Sequence, residues 1–224
     1  MKIPLRERKY ARTRLRLAQA LRERLEGRPL EALAVRELCE AAEISEATFF
    51  NYFPRKADLL AYVGQLWSLE LNWHAMQRQA AGATGLEVIQ TVFEQAARQV
   101  QGAPGAFGEL IAQQAAGRTR RELPPLTPAE RQLAFVEHAD IGQVPDQGLE
   151  VTLAQQLQRA IDAGALPPNS HLQTLMVSLI AIFYGVILAL RQSNPAAIGS
   201  MYRQQLALLW AGVSGLTGGV ASSG

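Results

Sequence analysis

Between Asp162 and Arg191 the chain carries no Asp, Glu, Lys or Arg. The part from Leu175 to Leu190 is apolar almost throughout. A helix that is apolar on every side must be covered on every side, so this stretch limits the folds open to the chain. A membrane span wants roughly 20 apolar residues and a flanking bias of positive charge. Here His171, Gln173, Thr174, Ser178 and Tyr184 interrupt the run, and no such bias flanks it. The expectation is therefore a helix over 169–191 with no membrane, covered by protein. A second apolar helix is predicted over 195–216, with Ile198, Met201, Leu206, Leu209, Trp210 and Val213. Two such neighbours can bury each other's faces by packing on a second copy of the chain, so a homodimer through both is expected.

The rest of the chain reads as helices cut by breakers. Leu17, Ala18, Leu21 and Leu25 recur at helical spacing and predict a helix from Tyr10 to Leu25, stopped by Gly27 and Pro29. Later runs are predicted over 57–80, 86–101, 105–118, 128–140 and 147–163. Glycine and proline clusters separate them. No strand-like alternation persists and no motif repeats, so the fold class is all-α. The 224 residues are 48% hydrophobic, enough for a sizeable core. The single cysteine, Cys39, rules out an internal disulfide framework and fits a reducing compartment. The N-terminus is charged from Lys2 onward with no apolar leader, so a cytoplasmic protein is expected.

Ala34 to Phe53 is the most informative stretch. Val35 to Ala42 predicts a short helix, with Val35, Leu38 and Ala42 on one face and Arg36, Glu37 and Glu40 away from it. Glu43 and Ile44 make the turn. Ser45 can cap the next helix, and Glu46 in its first turn suits the helix dipole. Pro54 stops that helix near Phe53. At about 100° per residue, Phe49 and Phe53 fall together as anchors. Ala47, Thr48, Phe50 and Asn51 face outward, with Tyr52 at the edge. These outer groups suit thymine methyls, phosphates and adenine edges. Short helix, tight turn, short helix is the helix-turn-helix arrangement.

Charge agrees. Residues 1–60 hold 13 Lys/Arg and 9 Asp/Glu, a balance of +4, while 61–224 hold 9 and 11, a balance of −2. Seven basic side chains lie between Lys2 and Arg16 against Glu7 alone. A basic arm on an otherwise balanced chain points to double-stranded DNA as partner.

The run VRELCEAAEISEATFFNYFPRKADLL, Val35 to Leu60, resembles the DNA-binding segment of the tetracycline-repressor (TetR) family of transcriptional regulators. The matching positions are Val35, Leu38, Ala41-Ala42, Ser45, Thr48, Phe49, Phe50, Tyr52, Phe53, Lys56 and Leu59-Leu60. Two positions depart from the pattern: Glu43 stands for the usual turn glycine, and Phe50 for a common tyrosine. A residue at 43 must accept a left-handed backbone angle or a different turn. The resemblance implies an N-terminal three-helix DNA-binding domain, residues 1–56 with the helix-turn-helix at 34–53. It further implies a larger helical ligand-binding and dimerisation domain at 57–217. A Gly/Ser-rich tail at 218–224 is expected to be disordered. The implied function is a dimeric regulator, most simply a repressor released from a palindromic operator by a small molecule. The DNA contacts would be Arg36, Ser45, Ala47, Thr48, Phe50, Asn51, Tyr52 and Lys56.

Other chemistries have little support. The sequence has no G-x-S-x-G, Walker loop, G-x-G-x-x-G or H-E-x-x-H, so no enzyme is expected. His74, His138 and His171 are far apart and lack metal-ligand partners at short spacing, so no metal or cofactor is expected. Candidate effector-pocket residues are Trp67, Phe93, Phe107, Phe135, His138 and Tyr184. Few basic residues follow residue 60, which favours a neutral or hydrophobic effector. The alternative is an effector-binding or interaction protein that keeps a degenerate helix-turn-helix and binds no operator.

Overall fold

The computed structural model describes residues 3–116 and 123–218. Lys2, Arg118 and, save Gly218, the expected disordered tail lie outside them. The described residues form ten α-helices and no strand. They are α1 Leu5–Arg24, α2 Val35–Ala42, α3 Glu46–Tyr52, α4 Lys56–Ala80 and α5 Gly85–Gly102. Then follow α6 Pro104–Ala115, α7 Pro128–Ala134, α8 Leu149–Asp162, α9 Leu172–Leu190 and α10 Ile198–Gly218. The all-α reading holds. The chain divides into two compact units, one of residues 1–70 and 103–146, the other of 71–102 and 147–224.

In the first unit α1 packs against α2, α6 and α7. Leu17 and Leu21 of α1, Leu38 of α2, Phe49 of α3 and Leu59 and Leu60 of α4 are all fully buried. Phe107 of α6 stacks on Trp67 of α4, centroids 4.0 Å apart. Backbone meets backbone where α6 begins. A Cβ on Gly105 would lie 2.0 Å from the Leu25 carbonyl oxygen, so only glycine fits.

The core of this unit holds a charge pair that the basic-arm reading missed. Arg14 is buried, and its Nη1 donates to Glu130 Oε1 at 2.6 Å. Its guanidinium lies 4.0 Å from the Tyr62 ring centre and 4.9 Å from that of Phe53. The second Glu130 oxygen accepts from the Thr127 N–H and hydroxyl, closing a capping box on α7. Burial, and then the Glu130 carboxylate, push the Tyr62 phenol far up, so it stays neutral. Arg14 thus belongs to the interior and not to a solvated arm.

Two helix limits also differ from expectation. Helix α1 begins at Leu5, five residues before the predicted start. The apolar period marks only the buried part of a helix, and its charged leading turns have good helix formers and no breaker. Helix α7 ends at Ala134, not Asp140, and Phe135 takes φ −132°. Nothing local stops it. Arg131 donates to the Leu126 carbonyl ahead of the helix and to the Val144 carbonyl 13 residues further on, and the second bond ties the following segment back to α7.

In the second unit α5 packs on α8 and α10, and α9 on α8 and α10. Phe93, Phe183 and Tyr202 form an aromatic cluster, and the Tyr202 hydroxyl donates to the Phe183 carbonyl at 2.8 Å. Helix α9 is long and apolar enough to cross a membrane, yet only 22% of its apolar window is buried within the chain. Its cap was not foreseen: His171 Nδ1 accepts from the Thr174 N–H.

Candidate nucleic-acid interface

Helix α3 is built from local signals. Ser45 Oγ accepts from the Thr48 N–H at 3.2 Å, a cap worth about 1 kcal/mol. Phe53 takes an extended backbone ahead of Pro54 and ends the helix. Phe49 and Phe53 are buried, 0% and 1% exposed. Their rings anchor the helix, and truncating either would cost about 3–5 kcal/mol. The opposite face carries exposed Ala47, Phe50 and Asn51 and half-buried Thr48. Phe50 is 49% exposed, a large apolar ring left to solvent. Tyr52 flanks this face, its ring 4.9 Å from that of Tyr10 on α1.

Glu43 answers the question of the missing glycine. It takes the left-handed conformation, φ 53° and ψ 48°. For a residue with a Cβ that costs about 1 kcal/mol. The Ile44 N–H still closes the turn on the Cys39 carbonyl at 3.0 Å, so the turn keeps its form. The Glu43 carboxylate meets Arg16 of α1 at 3.2 Å.

Two further glutamates of α2 also hold arginines. Glu37 pairs with Arg28 and accepts from the Ala34 N–H, which fastens the start of α2. Glu40 Oε1 accepts from Arg36 Nε at 2.8 Å, and both side chains are exposed. Lys56, at the start of α4, is half-buried. Its ammonium donates to the carbonyls of Leu30, Glu31 and Leu33 at 2.7, 3.1 and 2.5 Å. An ammonium has three protons, and here all three serve the α1–α2 connection.

The predicted pocket residues fall in separate units. In the first, Trp67 and Phe107 are buried against each other, and Phe135 lies 5.3 Å from His138. His138 Nε2 is 3.7 Å from Glu70 Oε1, a carboxylate partner that spacing along the chain could not show. In the second, Phe93 is fully buried, and the half-buried Tyr184 leans edge-on against Phe183. An open depression of that unit is lined by Gly164 to Asn169 and Ser214, and by none of these aromatic groups.

An all-α chain that presents a capped, anchored second helix after a tight turn is a helix-turn-helix DNA-binding protein of the transcription-regulator class. Residues 17–63 match the model of the tetR family of bacterial regulatory proteins. That match covers the helix-turn-helix segment, and the rest of the chain is compared with known proteins through its fold. No curated protein sequence matches it.

Solved structures share the fold. FadR of Thermus thermophilus, a TetR-family transcriptional repressor in complex with lauroyl-CoA, is 21% identical, with 88% of this chain and 92% of that one covered and a TM-score of 0.61. PfmR, a TetR-family transcriptional regulator also from Thermus thermophilus, is 17% identical, covering 88% and 97%, with a TM-score of 0.58. RolR in complex with resorcinol is 18% identical, covering 92% and 89%, with a TM-score of 0.55.

Proposed function

We propose that the chain is a dimeric repressor that leaves a palindromic operator when a small molecule binds. The observation that carries this is α3: a capped helix, pinned by Phe49 and Phe53, with Ala47, Thr48, Phe50 and Asn51 turned outward. Asn51 suits an adenine edge, Phe50 and Ala47 suit thymine methyls, and Thr48, Ser45 and Tyr52 suit phosphates. Lys56 supports the site by fixing the loop that leads into α2. Residues 1–56 carry DNA binding in this reading, and the following helices carry effector binding and dimerisation.

Dimerisation is supported by the uncovered apolar side chains of α9 and α10. Val177, Ile180, Leu188 and Leu208 are 61%, 42%, 56% and 67% exposed in the single chain. A symmetric pairing of these helices would bury them twice over. The effector is neutral or hydrophobic, consistent with the few basic residues after residue 60 and with the uncharged resorcinol held by a protein of like fold. The protein works in the cytoplasm, where its DNA lies.

The test measures binding of the full chain to DNA from upstream of its own gene, against a scrambled duplex at matched salt. Preference for the palindromic site, with sedimentation as a dimer, is expected. Replacing Val177 and Leu208 with glutamate should yield monomers and weaken operator binding. A monomeric wild-type chain with no preference between the duplexes would refute the reading.

A further inference from the structure

Arg36 is the one basic side chain on the outer face of α2, and it is not loose. Its Nε is held by Glu40 Oε1 at 2.8 Å, one turn further along the same helix. That bond occupies the inner edge of the guanidinium. The two terminal nitrogens make no hydrogen bond among the described residues. This end of the fork is the part that can donate two parallel hydrogen bonds to the O6 and N7 of a guanine. The Glu40 carboxylate, by its hydrogen bond and its charge, and more weakly the Glu46 carboxylate, favour the charged form of Arg36.

The pair has little else to do. It is exposed at both ends, 78% and 63% for the two side chains, and its order along the helix, cation before anion, is the weaker one for helix stability. The other glutamates nearby have different tasks, since Glu37 fastens the helix start and Glu43 lies in the turn. An exposed arginine without a holder gives up considerable rotamer freedom when it binds. A carboxylate that fixes Nε removes most of that loss beforehand and selects the end-on approach.

Resting on the DNA-binding reading above, we infer that Glu40 is a specificity-determining positioning residue that holds Arg36 end-on to read one guanine in each operator half-site. Glu40 itself touches no base. Its charge repels phosphate, so it weakens binding to every sequence slightly while raising the contrast at one base pair. Those two effects have opposite signs, which separates this role from a plain charge effect.

The experiment titrates the full-length wild type, Glu40→Ala and Arg36→Lys against the operator, a scrambled duplex and operators with single base pairs exchanged. For the wild type, one G·C pair per half-site should cost about tenfold in affinity when exchanged. In Glu40→Ala that penalty should shrink to about twofold while affinity for scrambled DNA stays equal or rises. Arg36→Lys keeps the charge and loses the fork, so it should lose the same penalty at the same base pair. Thermal midpoints of both variants should match the wild type, since the pair is exposed. A Glu40→Ala protein that changes affinity for all duplexes by one common factor, or that keeps the full penalty, would overturn the inference. A wild type with no operator preference would remove the DNA-binding reading itself, and this inference with it.

Discussion

Replacing Glu130 with glutamine should destabilise the first unit far more than an ordinary charge substitution. Glu130 is fully buried, and its partner Arg14 is 3% exposed. The glutamine keeps the shape and leaves an acceptor for Thr127. It removes the only carboxylate bonded to the Arg14 guanidinium among the described residues. An uncompensated buried charge of this kind costs about 3–5 kcal/mol. The rings of Tyr62 and Phe53, 4.0 and 4.9 Å from the guanidinium carbon, offset about 1 kcal/mol of that. A loss of about 3 kcal/mol remains, a large share of the 5–15 kcal/mol that holds a domain together. The assay is urea unfolding of the full chain, followed by far-UV circular dichroism and by tryptophan fluorescence. The double variant Arg14→Met with Glu130→Leu should recover most of the loss, because two apolar side chains of similar size need no compensation. A Glu130→Gln protein within about 1 kcal/mol of wild type, or a double variant no better than the single one, would refute this account of the pair.

Lys56→Ala should loosen the α1–α2 connection at a cost of about 2 kcal/mol, since three carbonyls lose a charged donor; hydrogen exchange at residues 30 to 35 is the readout. Gly105→Ala should cost more than about 3 kcal/mol, or prevent folding, because its Cβ would meet the Leu25 carbonyl oxygen at 2.0 Å and backbone cannot swing aside; the thermal midpoint decides it. Arg28, with the Ala34 N–H, holds the Glu37 carboxyl below its usual value near 4.5. A depressed folded-state value means the contribution is complete above about pH 4.5 and is lost as the pH falls through the lower folded value. Acid titration of helicity in Glu37→Gln should therefore lack the part of the transition seen below that pH in the wild type.

The helix-turn-helix was legible because every signal in it is short-range. Ser45 bonds three residues ahead, Phe49 and Phe53 share a face by helical spacing alone, and Pro54 excludes a longer helix. The bounds of α2 could be read from eight consecutive residues for the same reason. Arg14 could not be placed, because its partner lies 116 residues away and nothing in a basic run says which member turns inward. Lys56 is similar: its carbonyl partners lie 23 to 26 residues earlier, and carbonyls leave no mark in a sequence. The aromatic residues chosen for a pocket show a further limit. Composition marks Trp67 and Phe107 as large and apolar but cannot tell a stacked pair in a core from the wall of a cavity.

The single thiol of the chain sits in α2, 3% exposed, with burial pushing its acidity down. It therefore works as a clock that needs no engineering. A thiol reagent reaches Cys39 only when α2 lifts from its neighbours, so the labelling rate measures how often that happens. Ligands that hold α2 in place slow the clock and ligands that loosen it speed it up. An unknown compound can thus be sorted by its effect on the reading head before any target DNA sequence is known.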